Sequence, residues 1–172
     1  KAPTISADQA VEQTIRNQTD DYIPQLFKYV QIVMATNKNT VKYATTGTPK
    51  KFWNVWREQN TEFLQNGLDK YITDRIPTEQ DKNIISLFSK QRVKELIKYF
   101  ILYDANVKKI CRYQQFFALK EIIKTVTTYT DNGNRCGGVI WHTQGSEKVL
   151  LWIWCQSISL WSFPHIIPVL LS

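Results

Sequence analysis

Residues 137–152 read GGVIWHTQGSEKVLLW, and His142 to Val149 fall on the spacing of a phosphate-binding loop. Such a loop needs a strand, then a Gly-rich turn whose backbone N–H groups face the phosphates. A Lys for the β/γ-phosphates and a Ser or Thr hydroxyl for magnesium then open a helix. Against the pattern GxxxxGK[ST], His142 takes the first glycine position, Glu147 the second and Val149 that of the hydroxyl, while Lys148 matches. Glu147 would put a carboxylate where phosphate oxygens must approach, and Val149 cannot ligate magnesium. Read alone, the loop should bind ATP poorly.

The elements that must hold this loop are legible in outline. SADQAVEQTIRN begins with capping types at Ser6 and places Ala10, Val11, Thr14 and Ile15 at helical spacing, so a helix is expected to about Asp20. After Pro24, LFKYVQIVMATN suits a buried strand, Asn37 to Asn39 a turn, and TVKYATTG a second strand of the same hairpin. Phe52, Trp53 and Trp56 read as packing residues. Residues 78–104 are expected to be helical, with an apolar stripe of Leu87, Phe88, Val93, Leu96, Ile97, Phe100 and Ile101. A further helix is expected from Tyr113 to about Thr128, with Phe116, Phe117, Leu119, Ile122, Ile123 and Val126 inward. TDNGN then turns the chain into a short strand, CGGVIWH, and a loop, TQGSEK.

Composition narrows the partners. Twenty-two Lys and Arg against 15 Asp and Glu leave a net charge of +7, which favours polyanions, although the basic residues form no tract. Cys111, Cys136 and Cys155 contain no CxxC pair, which argues against structural zinc, and an odd count fits a reducing cytoplasm. KAPTISADQAVEQ has no apolar core and does not read as a signal peptide. From Val149 to Ser172 no residue is charged, but Gln156, several serines, Pro164 and Pro168 make this stretch a poor membrane span.

The runs RYQQFFALKEIIK and RCGGVIWHTQGS closely resemble the R (motor and nuclease) subunit of type I restriction endonucleases. AVEQTIRNQTDDYIPQLFKYVQIVMATN and KYATTGTPKKFWNVW extend the resemblance over residues 1 to about 148. In that family His is usual at the first loop position, so Glu147 and Val149 remain the departures. Restoring one G before the codon of Glu147 turns Glu-Lys-Val-Leu-Leu-Trp-Ile-Trp into Gly-Lys-Ser-Leu-Thr-Met-Asp-Met, with Trp152 and Trp154 both fitting their single codon. A one-base deletion making residues from Glu147 onward out-of-frame sequence is the expectation, and real divergence is the competing explanation.

The resemblance implies an α/β fold in three pieces: residues 1–49 as the C-terminal part of a PD-(D/E)xK-type nuclease domain, 50–111 as a helical connector, and 112–148 as the start of a superfamily 2 helicase-like motor lobe. Residues 149–172 would be an apolar, out-of-frame tail. By the same resemblance, Lys1 aligns with the lysine of the ELK motif, which steadies the attacking water or the developing charge beside the metal. Gln13 matches the glutamine of a downstream QxxxY motif, with Asn17 in place of the tyrosine. Gln115 matches a glutamine whose amide reads adenine's donor and acceptor edge. Gly145, Ser146 and Lys148 match the phosphate loop. The implied cofactors are ATP and Mg2+, and the implied partners are DNA and the specificity and methyltransferase subunits. This chain by itself is expected to be catalytically inactive and cytoplasmic, with no membrane association. A non-enzymatic basic DNA-binding fragment and a small membrane-associated protein are the rival expectations.

Overall fold

The structure, a computed structural model, describes residues 5–139, 150 and 153–155. Contact density divides the chain into two compact units, Lys1–Tyr113 and Gln114–Ser172.

The first unit starts with helix α1, Ala7–Arg16. The Ser6 hydroxyl accepts a hydrogen bond from the Asp8 amide at 3.2 Å, Asp8 lies in the first turn and Arg16 in the last, all in the sense the helix dipole favours. Its apolar side buries Ala7 and Val11. Strands β1, Val33–Thr36, and β2, Val41–Ala44, form an antiparallel hairpin in the register Val33↔Ala44 to Thr36↔Val41. Asn37 holds the turn: its side-chain oxygen accepts from the amides of Asn39 at 3.0 Å and Thr40 at 2.8 Å, the Asx pattern that such residues supply. Val11, Val33, Ala35, Ala44 and Trp53 close into one core, with Ala10, Ile15, Phe27 and Val30 against it.

The hairpin agrees with the sequence expectation, but its first strand is shorter. Pro24–Phe27 is instead a helical turn, α2, because a proline at the first helical position presets φ and gives up an amide that would go unpaired anyway. The following segment is carried by a short 3-10 turn at Lys50–Phe52. It then meets the outer edge of β2, where Tyr43 and Asn54 exchange backbone hydrogen bonds of 2.8 and 2.9 Å. Trp53 and Trp56 are buried, as expected of packing residues, whereas Phe52 is half exposed.

Three ten-residue helices follow: α3, Glu62–Tyr71; α4, Glu79–Phe88; and α5, Lys90–Tyr99. Each is capped by a hydroxyl, from Thr61, Thr78 and Ser89. The single helix expected over 78–104 is therefore broken twice. Ser89 adopts ψ 143°, ending α4 while its side chain caps α5. Beyond Phe100 the chain forms a second antiparallel hairpin, β3 (Ile101–Asp104) and β4 (Val107–Ile110). Its turn residues, Ala105 and Asn106, have φ of 46° and 64°, the left-handed pair that matches strand twist. The apolar stripe misled because Ile101 continues the helical spacing of Leu96 and Ile97, and an Ala-Asn turn carries no glycine signal. Leu87, Leu96 and Phe100 are buried, but Ile97 is 43% exposed. Residues 50–111 thus hold a hairpin as well as helices.

Helix α6, Tyr113–Thr127, matches the expected span and buries Gln115, Phe116 and Leu119. Phe116 and Phe117 meet edge to face, with ring centroids 5.2 Å apart. A turn at Thr130–Asn134 follows, with Gly133 at φ 76°. Cys136 to Val139 form no strand, contrary to expectation, and the rest of that expected strand lies outside the described residues. Leu150 and Trp154 are buried.

Candidate functional site

An open cleft of about 470 Å³ lies on the first unit, lined by Asp8, Lys42, Lys50, Lys51 and Trp53. α1 supplies the acidic side: Asp8 and Glu12 are one turn apart and share a helix face. The Lys42 ammonium donates to Asp8 Oδ1 at 2.6 Å, and the Lys50 ammonium to Glu12 Oε1 at 2.6 Å. The hydrogen bond from Lys42 lowers the Asp8 carboxyl below the ordinary carboxylate range, and the hydrogen bond to Glu12 raises Lys50. Lys51 has no ion pair among the described residues, and its ammonium lies 4.7 Å from the centroid of the Phe52 ring. No group of three or more His, Cys, Asp or Glu suited to a metal ion occurs among the described residues. The cleft can offer cationic hydrogen-bond donors, and among the described residues Asp8 is the one carboxylate that lines it.

A buried polar network fixes the segment that leads away from this cleft. Glu58 Oε2 accepts from Trp56 Nε1 at 3.0 Å and Arg92 Nη1 at 3.2 Å, while Oε1 accepts from Thr61 Oγ1 at 2.7 Å and Arg92 Nη2 at 3.3 Å. The Arg92 guanidinium also lies over the Phe63 and Trp56 rings, at 4.6 and 5.7 Å from their centroids. Tyr43 meets Trp56 edge to face at 5.8 Å and donates its hydroxyl to the Cys111 carbonyl at 2.8 Å. Burial pushes both the Tyr43 hydroxyl and the Cys111 thiol well above their usual pKa. Residues as distant in sequence as Tyr43, Glu58, Arg92 and Cys111 are held in one satisfied cluster.

Of the residues singled out from sequence, Gln13 is exposed on α1 and is not among the cleft residues. Asn17, which stands where the resembled motif has tyrosine, caps that helix and donates its amide to the Gln13 carbonyl at 3.0 Å. Gln115 is buried in the first turn of α6, at 1% exposure. Lys1, Gly145, Ser146 and Lys148 lie outside the described residues, as do Glu147 and Val149. The cleft itself was missed in the sequence. Its pairs join residues 34 and 38 positions apart, and the Lys50-Lys51 doublet after Pro49 was the one local sign of it.

Residues 1–52 match the family described as type I restriction enzyme R protein N terminus. Residues 114–162 match SWI2/SNF2 ATPase, a span that continues past Lys148 into the apolar stretch. The chain is 30% identical over 142 residues to a putative type I restriction enzyme MjaIXP endonuclease subunit of Methanocaldococcus jannaschii, an alignment covering 73% of this chain and 13% of that protein. It is 25% identical over 134 residues to the type I restriction enzyme HindI endonuclease subunit of Haemophilus influenzae, covering 74% of this chain and 12% of that one. A putative type I restriction enzyme MjaVIIP endonuclease subunit of M. jannaschii is also 25% identical, over 145 residues. The chain thus spans about an eighth of the length of the curated relatives it matches. No solved structure matches it.

Proposed function

We propose that this chain, which is R-subunit-like by sequence, carries the stretch of a type I restriction R subunit between the end of the nuclease domain and the start of the ATPase lobe. The observation that carries this reading is the order of two matches on one chain, the R-protein N terminus at 1–52 and an ATPase at 114–162. Residues 1–49 close the nuclease domain, 50–111 connect, and 112–148 open the motor lobe. The parent enzyme cleaves DNA with ATP-driven translocation, uses Mg2+, and works in the cytoplasm with specificity and methyltransferase subunits. In that parent, the positions matched by Lys1 and Gln13 serve the nuclease centre, and those matched by Gln115, Gly145, Ser146 and Lys148 the nucleotide.

No described helix is long and apolar enough to cross a membrane. The chain alone is expected to turn over neither substrate, because Glu147 would oppose the phosphate oxygens and Val149 cannot ligate the magnesium that the ATP-driven reaction uses. The test has two arms. DNA nicking and ATP hydrolysis by the purified chain are expected at the blank rate, and turnover above it would overturn the assignment of inactivity. A HindI R subunit carrying residues 5–113 of this chain in place of its own is expected to translocate and cleave, and loss of both would overturn the R-subunit reading. The gene's nucleotide sequence through codons 140–172 tests the proposed frame change directly. A one-base correction should open a long frame with further motor motifs, and its absence would make the tail native.

A further inference from the structure

We propose that the cleft beside α1 holds a backbone phosphate of DNA, with Lys51 making the first contact and Lys42 and Lys50 exchanging Asp8 and Glu12 for phosphate oxygens. This rests on the R-subunit reading for the identity of the polyanion. Three ammonium groups from two segments, β2 and the turn at Lys50–Phe52, line one open surface. Lys51 has no ion pair among the described residues, so its charge is available without breaking one. The other two are held by exposed pairs: the Lys50 and Glu12 side chains are 49% and 59% exposed, and Lys42 and Asp8 27% and 46%. Pairs so exposed are worth only about 0–1 kcal/mol. A phosphate, with charge-assisted hydrogen bonds of its own, can therefore replace a carboxylate at small cost.

Trp53 decides what kind of contact this is. The residue is only 7% exposed and its Nε1 is already committed to the Thr48 carbonyl at 3.1 Å. It can form an apolar floor but offers no face on which a base could stack. The cleft therefore reads phosphate and not base, and binding through it is independent of DNA sequence and steeply dependent on salt. Asp8 and Glu12 act as built-in competitors, holding two lysines in place while keeping their affinity for anions low.

The test is titration of the full chain against a short labelled duplex of arbitrary sequence, followed by anisotropy across salt concentrations. Lys50→Gln with Lys51→Gln is expected to flatten the dependence of log affinity on log salt by about 0.9 per lysine. A charge-matched control on exposed helix lysines, Lys70→Gln with Lys98→Gln, should leave that slope near the parent value. Asp8→Asn with Glu12→Gln should tighten binding at low salt, an effect in the opposite direction that a misfolded variant would not give. Equal slopes for the two lysine pairs would overturn the proposal. So would absence of duplex binding by the Asp8→Asn, Glu12→Gln chain, or weaker binding by it than by the parent. Either result beside a HindI chimera that still cleaves removes the cleft alone and leaves the R-subunit reading standing.

Discussion

Glu58 accepts four hydrogen bonds, which fills the capacity of a carboxylate, and its side chain is 1% exposed. Removing it takes from a guanidinium, an indole N–H and a hydroxyl the acceptor they share in a buried environment. Glu58→Ala is therefore expected to lower stability by about 3–5 kcal/mol, read as the shift in urea midpoint. Arg92→Met should cost less, since Trp56 and Thr61 still solvate the carboxylate. Equal losses would show that the charge pair itself, and not the whole set of donors, sets the energy. The cysteines give a second test at this scale. Cys111 is fully buried with its thiol pKa raised, while Cys136 is half buried. Because only thiolate reacts, Cys136 should be alkylated in the folded chain and Cys111 only on unfolding. Mass mapping after a timed iodoacetamide pulse checks this.

At the scale of elements, the start of α4 carries the most informative junction. Thr78 and Asp81 form a capping box, and the Arg75 guanidinium donates to both Asp81 oxygens, at 2.5 and 2.8 Å. Those hydrogen bonds, Arg75 first and then Thr78, pull the Asp81 carboxyl far below its usual range. A depressed folded pKa adds stability above the unfolded value of about 4, and that stability is lost as pH falls toward the folded value. Thr78→Ala is expected to cost about 1 kcal/mol at pH 7. Arg75→Gln should lower stability modestly at neutrality, because Arg75 is 48% exposed, and that deficit should shrink as pH falls through the carboxylate range. Urea midpoints measured from pH 7 down to pH 3 separate the two. The helices themselves were legible because hydroxyl caps and 3.6-residue spacing are local. The break at Ser89 and the hairpin after Phe100 were not, since a serine in ψ 143° and a left-handed Ala-Asn turn are imposed by what the flanking segments pack on.

For the whole molecule, ATP with magnesium is expected to leave the melting temperature unchanged, because Glu147 and Val149 stand where the loop needs glycine and a hydroxyl. A ligand at a hundred times its dissociation constant would add about 2.7 kcal/mol, so a thermal scan would reveal binding readily. The sequence by itself determined the segments with local codes: α1 with its cap, the Asn37 turn with its hairpin, and α6. It also carried the R-subunit resemblance, since motif order needs no coordinates. Only the tertiary structure brought Lys42 to Asp8, Lys50 to Glu12 and Arg92 to Glu58, across 34, 38 and 34 positions. A charged residue reads alike in sequence whether it faces water or a partner. Which of the two it does depends on the chain that folding places opposite it, and that choice separates a solvated surface lysine from one paired across a cleft.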